Sequence, residues 1–280
     1  MNNQWWERHA HATSREEATY LDPDTSYSVF TEWALQERGR CCGSGCRHCP
    51  YQHVGVPQAQ RADRIQRAAL LNGRVDAQQT YDVLFWSGGK DSFLTWRALE
   101  REAGALPCVL LTTFSALDRR IAHQEVALSE IVRQANTLDL PLVGVPLHAG
   151  CDYVEQLREG LANVPNIRRL VFGDLHLAHI RQWREKALGP VAEQHGATLH
   201  FPLWQRAYDE LFDDLAASGV PCTISAVVDP ASTPLCIGQR FSRELMASVP
   251  KGIDAFGEAG EFHTLAQVWD GPVQPPPNTG

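Results

Sequence analysis

From residue 81 onward, short apolar runs alternate with longer stretches whose apolar positions recur every three or four residues. The runs 81–86, 107–115, 141–147, 169–175 and 197–202 are each apolar enough to be strands covered on both faces. Between them, 92–103, 123–138, 152–164 and 180–195 carry helical spacing. Such alternation predicts βαβ crossovers, and five strands with four crossovers predict a five-stranded, parallel, doubly wound, Rossmann-like α/β sheet. Ligands of such sheets sit outside the carboxyl ends of the strands, so candidate sites belong in the loops that follow them.

Flanking segments read differently. Beyond Trp204 a helix at 208–218 and a strand at 222–228 open a small α+β unit richer in turns than in helix. The first eighty residues are rich in Trp, His, Arg and Gln, with a cysteine cluster in the middle and a helix expected at about 57–72. The expected divisions are a Cys-rich N-terminal module and linker (1–78), an α/β domain (79–204), a small C-terminal domain (205–271) and a mobile Pro-rich tail (272–280). No internal repeat is visible.

Composition narrows the class. At 280 residues, with 44% hydrophobic and 21% charged, the chain is long enough for a buried cleft and ordinary for a globular protein. No apolar run approaches the ~20 residues that span a bilayer, and no secretory leader is evident, so no membrane association and a cytoplasmic location are expected. A net charge of -8 offers no general field for nucleic acid, which makes an RNA or DNA partner unlikely on charge grounds. Oligomeric state is not legible.

The strand at 81–86 runs directly into Ser87-Gly88-Gly89-Lys90-Asp91-Ser92, after which Phe93, Leu94, Trp96 and Leu99 give helical spacing. Two glycines permit successive N–H groups to turn toward one point, and a helix N-terminus adds partial positive charge there, the makings of a phosphate pocket. Lys90 supplies a point charge, and the Ser87 and Ser92 hydroxyls supply further donors. The Asp91 carboxylate would repel bare phosphate. It makes sense either as a ligand of Mg²⁺ bridging to the nucleotide or as a helix cap.

The loop lacks Walker A spacing and resembles the signature of the PP-loop ATP pyrophosphatase superfamily, whose fold is of the adenine nucleotide alpha hydrolase type. Further along, Arg120-Ile121-Ala122-His123, Gln134-Ala135, Leu140-Pro141-Leu142, Phe172-Gly173-Asp174, Trp183-Arg184-Glu185 and Pro202-Leu203-Trp204 occur in an order similar to that of the diphthine ammonia ligase (diphthamide synthase) family. Gly257-Glu258-Ala259-Gly260-Glu261-Phe262-His263-Thr264 resembles that family's C-terminal motif. The resemblance implies ATP and Mg²⁺ at the loop, cleavage of ATP to AMP and pyrophosphate, adenylation of a substrate carboxylate, and amide formation with ammonia. It also implies adenine near the main chain of Thr113 and Phe114. The acceptor, a small molecule or a protein side chain, would meet His123, Glu258, Glu261, His263 and Thr264. By position, Gly173 and Asp174 close the fourth strand, where Asp174 either faces ligand or caps the next helix.

Cys41-Cys42-Gly43-Ser44-Gly45-Cys46-Arg47-His48-Cys49 places four thiols and an imidazole within nine residues. Cys42, Cys46 and Cys49 have spacing suited to an iron-sulfur cluster, whereas Cys41 or His48 would complete a zinc site, and a reduced metal-free loop is the third reading. The cassette resembles short N-terminal modules labelled oxidoreductase-like. Two other functions compete with the ligase: a PP-loop tRNA sulfurtransferase using a Cys-bound iron-sulfur cluster, and a non-catalytic nucleotide- or metal-binding protein.

Overall fold

The computed structural model describes residues 4–23, 25–51, 54–56, 67–116, 118–122, 124–148, 150–230 and 233–272. In chain order its elements are α1 (Gln4–Ser14), β1 (Thr19–Leu21), β2 (Ser28–Phe30), α2 (Glu32–Gln36), β3 (Ala69–Asn72), β4 (Tyr81–Phe85), α3 (Lys90–Glu100), β5 (Cys108–Ser115) and α4 (Leu128–Leu138). There follow β6 (Leu142–Leu147), α5 (Tyr153–Leu161), β7 (Ile167–Val171), α6 (Ala178–Gln194), β8 (Thr198–His200), α7 (Tyr208–Ser218), β9 (Cys222–Val227), α8 (Arg243–Ala247) and β10 (Phe262–Ala266).

The central sheet has six strands in the order β3-β6-β5-β4-β7-β8. The five strands expected from the sequence are present and mutually parallel. The sixth, β3, is a correction: Ala69–Asn72 falls in the stretch expected to be helical, yet it pairs antiparallel with β6. Its residues alternate between buried and half-buried, and Leu71 packs where Gly144 leaves room, since a Cβ at Gly144 would meet the Leu71 side chain. Short apolar runs do not distinguish helix from strand by periodicity, and here the open edge of β6 decides. The remainder of that expected helix, 57–66, lies outside the described residues, as do 273–280 of the tail.

The helix expected from residue 123 begins at Leu128, because 119–128 closes a tight loop first: Ile121 N–H donates to Val126 O (2.9 Å) and Leu128 N–H to Arg119 O (2.8 Å). Once begun, α4 buries Leu128, Ile131, Val132, Ala135 and Leu138, one stripe of a 3.6-residue period.

Alternating strand residues face opposite sides of the sheet. Leu84, Leu110 and Leu142 join a core with α3, α4, α7 and the β9–β10 pair, while Val83, Val109, Val143 and Leu170 pack against Leu157 and Leu161 of α5 and Leu188 and Val191 of α6. The chain steps outward from β4 to β5 and β6, then returns beside β4 as β7. Crossovers on opposite faces therefore part between β4 and β7, which opens a crevice at their carboxyl ends. The antiparallel β9–β10 pair folds over this crevice rather than standing apart. Ala266 N–H donates to Gly88 O (2.9 Å), so the last strand hydrogen-bonds the loop after the first parallel one.

Candidate functional site

A cleft of about 570 Å³ occupies the switch point. Its floor is apolar, from Phe85, Leu111, Leu147 and Phe172, and its rim carries Ser87, Asp91, Ser92, Thr113, Gly173 and Asp174. The C-terminal unit closes it with Gly257, Glu258, Gly260 and His263. The topology thus brings Ser87, Asp91, Ser92, Thr113, Gly173, Asp174, Glu258 and His263, all singled out from sequence, to one place.

Gly88 adopts φ 81°, and a Cβ there would meet Ile131 Cδ1 and Gln134 Oε1. The loop is consequently restricted to glycine by both backbone angle and space. Gln134, fully buried on α4, fixes it: its Oε1 accepts from Trp86 Nε1 (2.8 Å), and its Nε2 donates to Gly88 O (2.8 Å) and Ala266 O (2.7 Å). α3 begins at Lys90 with Gly89 as its N-cap, and no side chain caps it there. Instead Thr264 Oγ1, from β10, accepts from Lys90 N–H (3.0 Å). Ser87 Oγ accepts from Gly89 N–H at 3.4 Å, and Ser92 Oγ donates to Gly89 O (2.9 Å).

Lys90 is placed unlike a free phosphate ligand. Its side chain is 3% exposed and absent from the cleft wall, and its Nζ lies 5.3–5.5 Å from the ring centres of Phe241, Phe256 and Phe262. Nζ donates to Asp91 Oδ2 at 2.9 Å. An aromatic box and one carboxylate thus replace the water around the ammonium.

The other Asp91 oxygen, Oδ1, is buried and accepts no hydrogen bond among the described residues. Burial raises the Asp91 pKa above the ordinary aspartate value against the pull of Lys90, and the charges of Asp174 and Asp254 push the same way. A carboxylate oxygen left bare beside a phosphate-type loop fits a hard cation such as Mg²⁺. Among the described residues no three His, Cys, Asp or Glu side chains form a metal-binding group, so phosphate oxygens and water would have to complete the shell around Asp91.

Asp174 does not cap α6, whose N-cap is Leu177. It pairs in two places with Arg184, one turn and more into α6, through Nε (2.5 Å) and Nη2 (3.1 Å), and the guanidinium lies 4.5 Å from the Phe172 ring centre. Gly173 presses on the first turn of α3, where a Cβ would meet Thr95 Oγ1 at 2.8 Å. Phe114 is fully buried in the core, whereas Thr113 reaches the cleft.

The two C-terminal glutamates diverge. Glu258 faces the cleft, its Oε2 accepting from His176 N–H (3.1 Å), and burial raises its pKa. Glu261 turns beneath, where Oε1 accepts from Asp254 N–H (2.8 Å) and braces the turn that begins with Asp254. Tyr208 donates to that same Asp254 (2.9 and 3.0 Å). His263 lines the cleft, with Nδ1 3.5 Å from Gln124 Nε2. His123 lies outside the described residues.

Sequence reasoning passed over Gln134, Arg184, Asp254 and the three phenylalanines around Lys90. Gln134 and Arg184 stand inside the quoted motifs, so a signal existed. Phe262 stands inside one as well, but Phe241 and Phe256 gave no signal, because apolar residues in a C-terminal unit read as core.

The N-terminal module rests on the same loop system. His9 and His48 stack at 3.5 Å between ring centres, both buried, and burial lowers both pKa values well below the usual imidazole range. His48 Nε2 meets Tyr20 Oη (2.8 Å). Arg119 reaches in from the cleft-side loop to His48 Nδ1 (3.4 Å) and donates to Cys49 O (2.9 Å). The thiols meet two by two, Cys42 with Cys46 at 3.2 Å and Cys41 with Cys49 at 3.7 Å. A profile described as a family of unknown function (DUF5522) matches residues 8–55, so the similarity covers this module and its cysteine cassette and stops short of the sheet and cleft.

Proposed function

We propose that the chain is an ATP-dependent ligase that cleaves ATP to AMP and pyrophosphate, adenylating a carboxylate for amide formation with ammonia as diphthine ammonia ligase does. The observation that carries this reading is the placement of the loop 87–92 at the switch point, with Ser87, Asp91 and Ser92 facing Glu258 and His263 across one cleft. The apolar floor suits a purine, and the loop beside it suits the phosphates. Mg²⁺, when bound at Asp91, would neutralise charge on the departing pyrophosphate.

The chain's own groups divide the remaining work. Gly88 and Gly89 let the loop approach phosphate oxygens, Ser87 and Ser92 offer hydroxyl donors, and Lys90 holds positive charge in reserve behind Asp91. The acceptor carboxylate enters against the C-terminal wall, where Glu258, its pKa raised by burial, is suited to take a proton from attacking ammonia. The cleft wall contains Asp91, Asp174 and Glu258 against Arg184, an acidic balance that disfavours an RNA acceptor and hence the sulfurtransferase reading.

The test is incubation of the protein with ATP, Mg²⁺, ¹⁵N-ammonia and a pool of metabolites and proteins, followed by mass spectrometry and nucleotide analysis. AMP, pyrophosphate and a labelled amide are expected, all lost in Lys90→Ala. ADP with orthophosphate would overturn the reaction, and bound nucleotide without turnover would leave a binding protein.

A further inference from the structure

We propose that Cys42 and Cys46 form a reversible dithiol–disulfide site at the exposed lip of the N-terminal module, with low-molecular-weight disulfides as its oxidant. The two sulfurs stand 3.2 Å apart. A covalent S–S bond is about 2.0 Å long, so closure asks for a movement on the order of 1 Å. The local sequence produces this approach: in Cys42-Gly43-Ser44-Gly45-Cys46 both glycines take positive φ, 74° and 65°, and fold the chain back so that positions i and i+4 meet. Gly43 is further held by space, since a Cβ there would meet Gly55 O at 3.0 Å.

Access differs along the cassette. Cys42 is exposed and Cys46 half-buried behind it, the arrangement of an attacking and a resolving thiol. Cys41 and Cys49 form the inner pair at 3.7 Å, and Cys49 is buried with its carbonyl tied to Arg119. Four thiolates around one tetrahedral zinc would stand about 3.8 Å apart in every pair, given a metal–sulfur distance of about 2.3 Å. The outer pair is closer than that, and no three of these side chains form a metal-binding group among the described residues.

The chemistry balances with the disulfide reagent as oxidant. The Cys42 thiolate attacks one sulfur of the reagent, expelling one small thiolate and leaving a mixed disulfide on Cys42. Cys46 then gives up its proton to solvent, and its sulfur displaces the second small thiolate from Cys42. One reagent disulfide is reduced to two thiols while two protein thiols become one disulfide.

The test is incubation of the full-length, reduced protein with oxidised glutathione, alkylation of remaining thiols, and mass spectrometry of the intact chain and its peptides. The expected result is loss of two hydrogen atoms, a peptide cross-link joining Cys42 to Cys46, and reversal by dithiothreitol. Cys46→Ser should trap glutathione on Cys42, and Cys42→Ser should leave the cassette unmodified, each with the wild-type far-ultraviolet spectrum. The wild-type cross-link decides the matter even if a variant fails to fold. The proposal is overturned if the link joins Cys41 to Cys49, if the outer pair stays reduced in excess reagent, or if the thiols react only after a chelator removes a bound zinc or iron.

Discussion

Asp91 is costly to the fold and, in the proposed reaction, the residue that would hold the metal ion. Its folded pKa lies above its unfolded value because burial outweighs the Lys90 ammonium. The ionised group therefore costs stability at neutral pH, and that cost is relieved as pH falls through the folded value. Asp91→Asn is expected to leave the calorimetric melting temperature no lower than wild type while pyrophosphate release falls by at least 100-fold, on the order of one lost transition-state contact. A lower melting temperature with activity retained would show that the carboxylate serves the fold. In the proposed reaction, protons and Mg²⁺ would compete for this oxygen. The apparent Mg²⁺ requirement should accordingly rise as pH drops toward the raised Asp91 value, measured as pyrophosphate release against magnesium concentration. Ser87 and Gly88 were legible in the sequence as loop residues because turn chemistry is local. The direction of the Lys90 side chain was not, since it depends on Phe241, Phe256 and Phe262, more than 150 residues downstream.

Elements repeat this division between local and distant causes. Each of the five parallel strands overlaps a short, largely apolar run that predicts one, and α7 spans the expected residues, because apolar runs and a 3.6-residue stripe are written into the sequence itself. Strand β3 escaped since it is short and borrows its conformation from the free edge of β6. At the opposite end of the sheet from the cleft, Asp82 on β4 joins neighbouring strands through charge. It is 1% exposed and takes paired hydrogen bonds from Arg168 (3.1 and 2.6 Å) and Arg169 (3.0 and 2.6 Å) on β7. Burial alone would raise its pKa, but Arg169 and Arg168 together lower it. The sign is thus opposite to that of Asp91: the contribution to stability is full above the ordinary aspartate value of about 3.9 and vanishes as pH falls through the folded value. Asp82→Asn should cost about 3 kcal/mol in urea unfolding at pH 7, the scale of breaking a buried pair. It should also remove part of the acid-side loss of stability expected of the wild type.

For the molecule as a whole, buried residues on both sides of the expected boundary at 204/205 share one cluster. One buried cluster runs from Ala10 on α1 through Phe93 and Ile131 to Phe212, Phe262 and Val268. The C-terminal residues also complete the loop after β4 through Thr264 and Ala266. A fragment comprising 79–204 is therefore expected to lose cooperative thermal unfolding, checked by circular dichroism, and to bind no ATP. Adding back 205–272 as a separate chain and regaining both would mark the halves as independently folding. Within the intact chain, the ammonium of Lys90 lies sheathed in three benzene rings and leashed to its neighbour's carboxylate. A site with its strongest cation stowed in this way would ignore the orthophosphate and other small anions that crowd a cell. It would answer instead to a guest bringing its own divalent counter-ion, which draws off the leash and frees the cation at the moment of docking.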